Sequence, residues 1–308
     1  MSRIVIAGAS GFIGRFLRER FRADGDEVSG IGRAATAAGT DAVWGDEEGI
    51  ARLLEGSDLL LNLAGRSVNC RYTERNRAEI LASRLDTTAA LGRAVLAADA
   101  PPRVWMNSST ATIYRHAEDR PMDEAGGELG SGFSVDVARA WEQVFAEHAR
   151  DGVRQVALRT AIVLGPGSVM TPYSNLARVG LGGAQLGGHD GAGSQMFSWV
   201  HREDVYRAIR FLQQSRLSGA VNLSAPNPVR NRELMGTIRR ALGVRVGLPL
   251  RPWMLELGAA LLRTETELVL KSRWVLPARL QDAGFEFAWP HLGPAVREIL
   301  HRPPLRAS

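Results

Sequence analysis

Cysteine and lysine are almost missing from this chain of 308 residues, which has one of each, Cys70 and Lys271. A lone cysteine excludes an intrachain disulfide and a multi-cysteine zinc site, and Cys70 reads as inert. With a lone lysine, nearly all positive charge is arginine, which accounts for a pI near 10.1 at a net charge of only +5. The arginines are interleaved with acids rather than gathered into a stripe, so the basicity does not point to nucleic acid. No apolar run approaches the roughly 18 residues of a membrane span. The N-terminus enters a strand-like segment directly, without the pattern of a cleavable signal peptide. The expectation is a cytoplasmic protein with a small-molecule substrate and neither a membrane nor a nucleic-acid partner. The six histidines form no His-Glu-x-x-His pair, so no metal site is expected. Gly-x-Ser-x-Gly is absent too, which argues against an α/β-hydrolase.

What is present is the composition of a globular protein, 45% hydrophobic and 23% charged, with length for one large or two smaller domains. Short apolar runs alternate with helical stretches through the first half. Strands are expected at 3–7, 27–31, 42–44, 58–63, 104–107 and 155–158, with helices at about 12–21, 73–98 and 137–150. Such alternation predicts an α/β fold, a Rossmann-type doubly wound parallel sheet, here over residues 1–165. After about residue 165 no clean strand–helix alternation survives. Gly165–Gly193 is glycine-rich and reads as a ligand-facing loop. Helices resume at 202–214, 231–242 and 254–270, and the proline-rich end, 302–308, reads as frayed. Trp105 and Trp199 read as core residues.

Between the first strand and first helix stands Gly8-Ala9-Ser10-Gly11-Phe12-Ile13-Gly14. Glycines at a strand-to-helix turn let a dinucleotide pyrophosphate approach the backbone, where the helix N-terminus offers free N–H groups; the alternative is a tight packing turn. The second strand ends Ile31-Gly32-Arg33, with no carboxylate for a ribose 2′-hydroxyl; Asp24, Asp26 and Glu27 lie at its other end. A guanidinium there suits the 2′-phosphate of NADP(H), so Arg33 is expected to select NADP over NAD.

These segments recur in order with Asn62-Leu63-Ala64-Gly65 and Ser108-Ser109-Thr110-Ala111-Thr112-Ile113-Tyr114. Further on come Ser83-Arg84-Leu85-Asp86-Thr87-Thr88, Leu158-Arg159-Thr160-Ala161-Ile162-Val163-Leu164-Gly165, and Phe197-Ser198-Trp199-Val200-His201 ahead of Asp204. Together they resemble the extended short-chain dehydrogenases/reductases, and more closely the epimerase-like NADP-binding members of the NAD-dependent epimerase/dehydratase family. The resemblance implies a smaller C-terminal α+β substrate domain, mainly over residues 166–308, with some segments returning to the Rossmann sheet. It implies that Leu63, Ala64 and Gly65 pass beneath the cofactor and that Ser108 and Ser109 lie near its ribose. It also implies that Thr110 matches the catalytic Ser/Thr, with Thr160 and Ile162 near the nicotinamide.

One departure is large. Enzymes of this superfamily usually carry Tyr-x-x-x-Lys, in which the lysine lowers the tyrosine pKa. Lys271 is preceded four residues earlier by Glu267, so the motif is absent, and the matching segment near Phe133–Val137 is apolar. Tyr114 is therefore the first candidate for the acid, the alternative being a loop anchor. Arg84 shares a helical stripe with Ile80, Thr88, Leu91 and Val95; it faces cofactor or substrate, or else forms a buried ion pair. Asn69 and Arg71 could hold an anionic or carbonyl substrate, or serve loop packing. His201, ahead of Glu203 and Asp204, is either an acid/base at the substrate or a structural histidine. The resulting expectation is an NADP(H)-dependent oxidoreductase or epimerase-like enzyme. The rival is an NADP(H)-binding sensor that kept the fold and lost the catalysis.

Overall fold

The computed structural model describes residues 1–35, 37, 39–186, 190–250 and 271–301. Its frame is built from runs that are apolar on both faces. Ile4, Val5 and Ile6 in β1 (Arg3–Ala7) and Leu59, Leu60 and Leu61 in β4 (Leu59–Asn62) are all at most 2% exposed, the signature of strands covered on both sides. They pair parallel in the register Ile4↔Leu59. With β2 (Glu27–Gly32), β3 (Ala42–Val43), β5 (Val104–Thr110), β6 (Arg154–Thr160) and β10 (Gly219–Leu223), they form one parallel sheet. Its order is β3-β2-β1-β4-β5-β6-β10.

Alternation along each strand divides the core in two. Ile4, Ile6, Leu61, Met106 and Leu158 face a layer that includes Leu17 and Phe21 of α1 (Phe12–Ala23) and Ile209 and Leu212 of α6 (Arg202–Gln214). Val5, Leu60, Trp105 and Ala157 face α2 (Glu47–Leu54), α3 (Glu74–Ala97) and α4 (Phe133–Glu147). Trp105 and Trp199 are fully buried.

Beyond β6 the chain builds a second core. β7 (Ile162–Leu164) pairs with β9 (Trp199–His201), and β8 (Met196–Phe197) with β11 (Val229–Arg230). Around them stand α5 (Met170–Arg178), α7 (Asn231–Ala241) and α9 (Leu292–His301), the last preceded by the short α8 (Ala278–Asp282). Met170, Trp199, Leu234, Met235 and Val296 lie at its centre. Asp204 ties it to the sheet layer: from α6 its two carboxylate oxygens accept from the amides of Ala288 (2.8 Å) and Trp289 (2.9 Å).

Several elements differ from expectation. α4 begins at Phe133 rather than 137, because Gly132 takes a positive φ of 99° and starts the helix there. α2, which the strand–helix reading omitted, is started by Asp46, whose side chain accepts from the amide of Gly49. α5 lies inside the glycine-rich segment, its buried Met170, Tyr173 and Ala177 docking on the second core. The edge strand β10, within residues 166–308, is a segment that returns to the sheet, as allowed for there. The helix expected over 254–270 and the proline-rich end lie outside the described residues.

Asp204→Ala should remove the acceptor shared by the Ala288 and Trp289 amides. At about 1–3 kcal/mol for such a loss, its urea midpoint should fall measurably below that of the parent; an unchanged midpoint would show that the clamp is redundant.

Candidate functional site

Every glycine of the first loop solves a contact. Gly8 stands at φ +82°, and a Cβ there would meet the carbonyl of Leu63 at 2.9 Å. At Gly14 a Cβ would come within 2.3 Å of the Gly8 oxygen, so α1 can lie this close to β1 only with glycine at that position. Gly11 caps the helix without a side-chain bond, and no acid stands in the first turn. No described group accepts from the amides of Phe12, Ile13 or Gly14, while Ser10 and Gly11 are exposed. The result is a bare set of N–H donors at the positive end of a helix, the arrangement that takes a phosphate group. Arg33 stands exposed one residue beyond β2, at the same carboxyl edge. Asp26, at the other end of the strand, is spent on the amide of Ser2 and on Arg210.

The neighbouring loop is held from below. Asn62, fully buried at the end of β4, donates to Thr88 Oγ1 (3.0 Å) and Asn107 Oδ1 (2.7 Å), and its own Oδ1 accepts from the amide of Ala64 (3.0 Å). Trp141 Nε1 also donates to Thr88 Oγ1 (2.9 Å). Leu63, Ala64 and Gly65 are thereby set at the sheet's carboxyl edge, with Gly65 exposed. Behind Gly65 lies Arg84. Its Nη1 donates to the carbonyls of Arg66 (3.1 Å) and Ile80 (2.9 Å), and burial lowers its pKa. Among the described residues no buried ion pair forms at Arg84; backbone carbonyls take that place. Asn69 and Arg71 are exposed in the loop ahead of α3, whose N-cap is Thr73.

At the end of β5, strand alternation separates residues that the sequence had grouped. Ser108 and Thr110 share one face and are half-buried. Thr110 Oγ1 accepts from the amide of Thr112 (3.1 Å), and Thr110 pairs in register with Thr160. Thr160 Oγ1 donates to the carbonyl of Leu158, and Ile162 is half-buried on β7. Ser109 points the other way and is not a ribose ligand, since its hydroxyl donates to Glu142 Oε1 (2.5 Å).

Tyr114 also departs from expectation. It is 1% exposed; its hydroxyl donates to Asn222 Oδ1 (3.0 Å) and accepts from Arg159 Nη1 (2.9 Å). Burial raises its pKa, so a phenolate is disfavoured, and the hydroxyl has no reach into the cleft. It is a loop anchor rather than an acid. His201 is 2% exposed and caps α6, its Nδ1 accepting from the amide of Glu203 while Nε2 lies 3.1 Å from Glu298. Both ring nitrogens are committed, which makes it structural and removes it from the substrate residues.

The polar residues that sequence reasoning missed are Glu142, Arg159 and Asn222. Arg159 grips both oxygens of Glu142, Nε to Oε1 at 2.9 Å and Nη2 to Oε2 at 2.8 Å. This bidentate pair joins α4 to β6. The one available signal was a carboxylate beside Trp141 on an otherwise apolar helical face.

The sequence profile of the "NAD dependent epimerase/dehydratase family" matches residues 4–223, and that of a "Domain of unknown function (DUF1731)" matches 252–299. The human "Epimerase family protein SDR39U1" is 31% identical over 305 residues, spanning 97% of this chain and 99% of its own. The Mycobacterium tuberculosis "Epimerase family protein MT2273" is 33% identical over 305 residues, spanning 97% and 98%. The crystal structure of human SDR39U1 with NADPH superposes with a TM-score of 0.85 at 29% identity, covering 96% of this chain and 98% of that one.

Tyr114→Phe removes a hydroxyl shared by Asn222 and a buried guanidinium. Chemical denaturation should show a loss of about 1–3 kcal/mol; stability equal to the parent's would remove Tyr114 from the network's supports.

Proposed function

Because the chain belongs to the NAD dependent epimerase/dehydratase family, we propose that it is an NADP(H)-dependent oxidoreductase or epimerase-like enzyme acting on a carbonyl or alcohol. The observation that carries this reading is the uncapped start of α1, where the amides of Phe12, Ile13 and Gly14 have no acceptor among the described residues and Arg33 is exposed at the neighbouring strand end. These residues fit a pyrophosphate and an added 2′-phosphate, and the NADPH in the human SDR39U1 crystal structure supports the same choice. Bound NADP(H) would supply the hydride donor or acceptor at nicotinamide C4.

The chain's own residues bind and orient. Ser10, Gly11, Phe12, Ile13 and Gly14 hold the diphosphate, and Gly8 and Gly14 keep the helix close enough to do so. Arg33 takes the 2′-phosphate through its planar fork. Leu63, Ala64 and Gly65 form the floor, and Ser108, Thr160 and Ile162 border the nicotinamide side. The hydroxyl of Thr110 donates to the substrate oxygen, which polarises the carbonyl for hydride arrival. Asn69 and Arg71, exposed on the rim, meet an anionic or carbonyl group of the substrate.

One observation favours a second reading, a non-catalytic NADP(H)-binding sensor. Residues 133–138 at the start of α4 include neither tyrosine nor lysine, and Tyr114 is locked in the network beside it. On that reading binding is tight and turnover absent.

Calorimetry on nucleotide-free protein tests the cofactor. NADPH should bind, and Arg33→Ala should weaken NADPH by about 10- to 100-fold, the worth of a charge-assisted bond, while changing NADH little. Equal losses would remove Arg33 from selectivity. Turnover is tested by NADPH oxidation across a panel of aldehydes and ketones, in which Thr110→Val should lower the rate by about 100-fold or more, the scale of one oxyanion donor. Tight binding without oxidation of any panel member would favour the sensor.

A further inference from the structure

The order of the sheet fixes how a dinucleotide must lie. β2 and β4 flank β1 on opposite sides, and β5 follows β4. The glycine loop stands over β1, Arg33 over β2, and Gly65 and Thr110 over β4 and β5. A dinucleotide carries its two nucleosides on either side of its pyrophosphate. With the 2′-phosphorylated adenosine at Arg33, the nicotinamide ribose therefore falls over Gly65 and the start of α4. That part of α4 offers it no cation: residues 133–138 are Phe, Ser, Val, Asp, Val and Ala, of which Val135, Val137 and Ala138 are buried.

A cation reaches this place from α3 instead. The Cζ of Arg84 stands 5.1 Å from the centre of the Trp141 ring of α4. On its other side is Gly65, where an added Cβ would come within 3.3 Å of the same Cζ. The guanidinium is thus sandwiched between the floor loop and an aromatic face, and its plane is set by the two carbonyls that accept from Nη1. Nε and Nη2 have no acceptor among the described residues, and neither is sealed from solvent. No described carboxylate pairs with it. A largely desolvated, uncompensated guanidinium is costly to maintain, and one whose remaining fork is open at a cleft is poised for a ligand with two adjacent oxygens.

We propose that the open edge of Arg84, Nε–H and Nη2–H, anchors the nicotinamide-side ribose of the cofactor through its vicinal hydroxyls. On this assignment α3 provides the anchor for which α4 carries no residue. The proposal rests on the NADP(H) reading above. A substrate carboxylate presents a similar pair of oxygens, and the choice of probes separates the two sources.

The experiment is titration calorimetry on the full chain with two probes, NADPH and adenosine 2′,5′-bisphosphate, which carries the 2′-phosphate but no nicotinamide nucleoside. Arg84→Met should weaken NADPH by about tenfold or more, as for a lost charged bond, and leave the bisphosphate within about twofold. Arg84→Lys, which keeps the charge and removes the fork, should recover only part of the loss; it also stands in should the Met variant fail to fold. Arg33→Ala should weaken both probes. NADPH affinity unchanged in both Arg84 variants would overturn the proposal and leave a substrate oxyanion as the partner. Parallel loss of both probes would overturn it as well, by showing that Arg84 supports the whole cleft. Parent protein that binds neither probe would overturn the cofactor reading itself, an outcome distinct from any failure confined to Arg84.

Discussion

The cofactor reading depends on one backbone-to-backbone contact. Gly14 lies against Gly8 and Ala9 so closely that a single methyl group at position 14 would overlap the Gly8 oxygen. That approach brings the start of α1 to the tip of β1 with its first amides left without an acceptor or a capping side chain among the described residues. The site is made of absences: no Cβ at 8, 11 or 14, no capping hydroxyl, no acid in the first turn. Each absence removes something that would otherwise fill the place of an anion.

The polar chemistry beside this loop is divided sharply between support and presentation. Ser109, Glu142, Arg159, Tyr114 and Asn222 form a continuous hydrogen-bonded chain that crosses from α4 to β5, β6 and β10. Its groups satisfy one another, as buried polar groups must. Ser108 and Thr110, half-buried on the other face of β5, and the exposed Gly65 stand instead at the carboxyl edge. Under the proposed function, a reaction at this edge would draw on Thr110 and the arginines rather than on Tyr114, whose pKa burial raises.

The Asn62–Thr88–Asn107–Trp141 cluster plays the corresponding part on the same face of the sheet, beneath the ends of β4 and β5. It locks β4, β5, α3 and α4 together just below the floor loop, so Gly65 and Arg84 stand on a rigid base. That rigidity is what allows a guanidinium to be kept largely out of water with half of its donors open.

Much of this was legible from the order of residues. Short continuous apolar runs specify strands buried on both faces, and a glycine triplet between the first strand and helix leaves few places for a diphosphate; both follow from local sterics, which a linear string records. An end of β2 without a carboxylate is equally a matter of position in the chain. The sequence could not say which way Ser109 and Tyr114 point, since neighbours on a strand face opposite layers and a loop can turn a tyrosine inward. Nor could it say that Arg84 would meet carbonyls and an aromatic ring rather than a carboxylate, or that His201 would be used up by Glu203 and Glu298. Those outcomes depend on partners up to 108 residues distant in the chain, brought within bonding range only when the sheet and its two helical layers close.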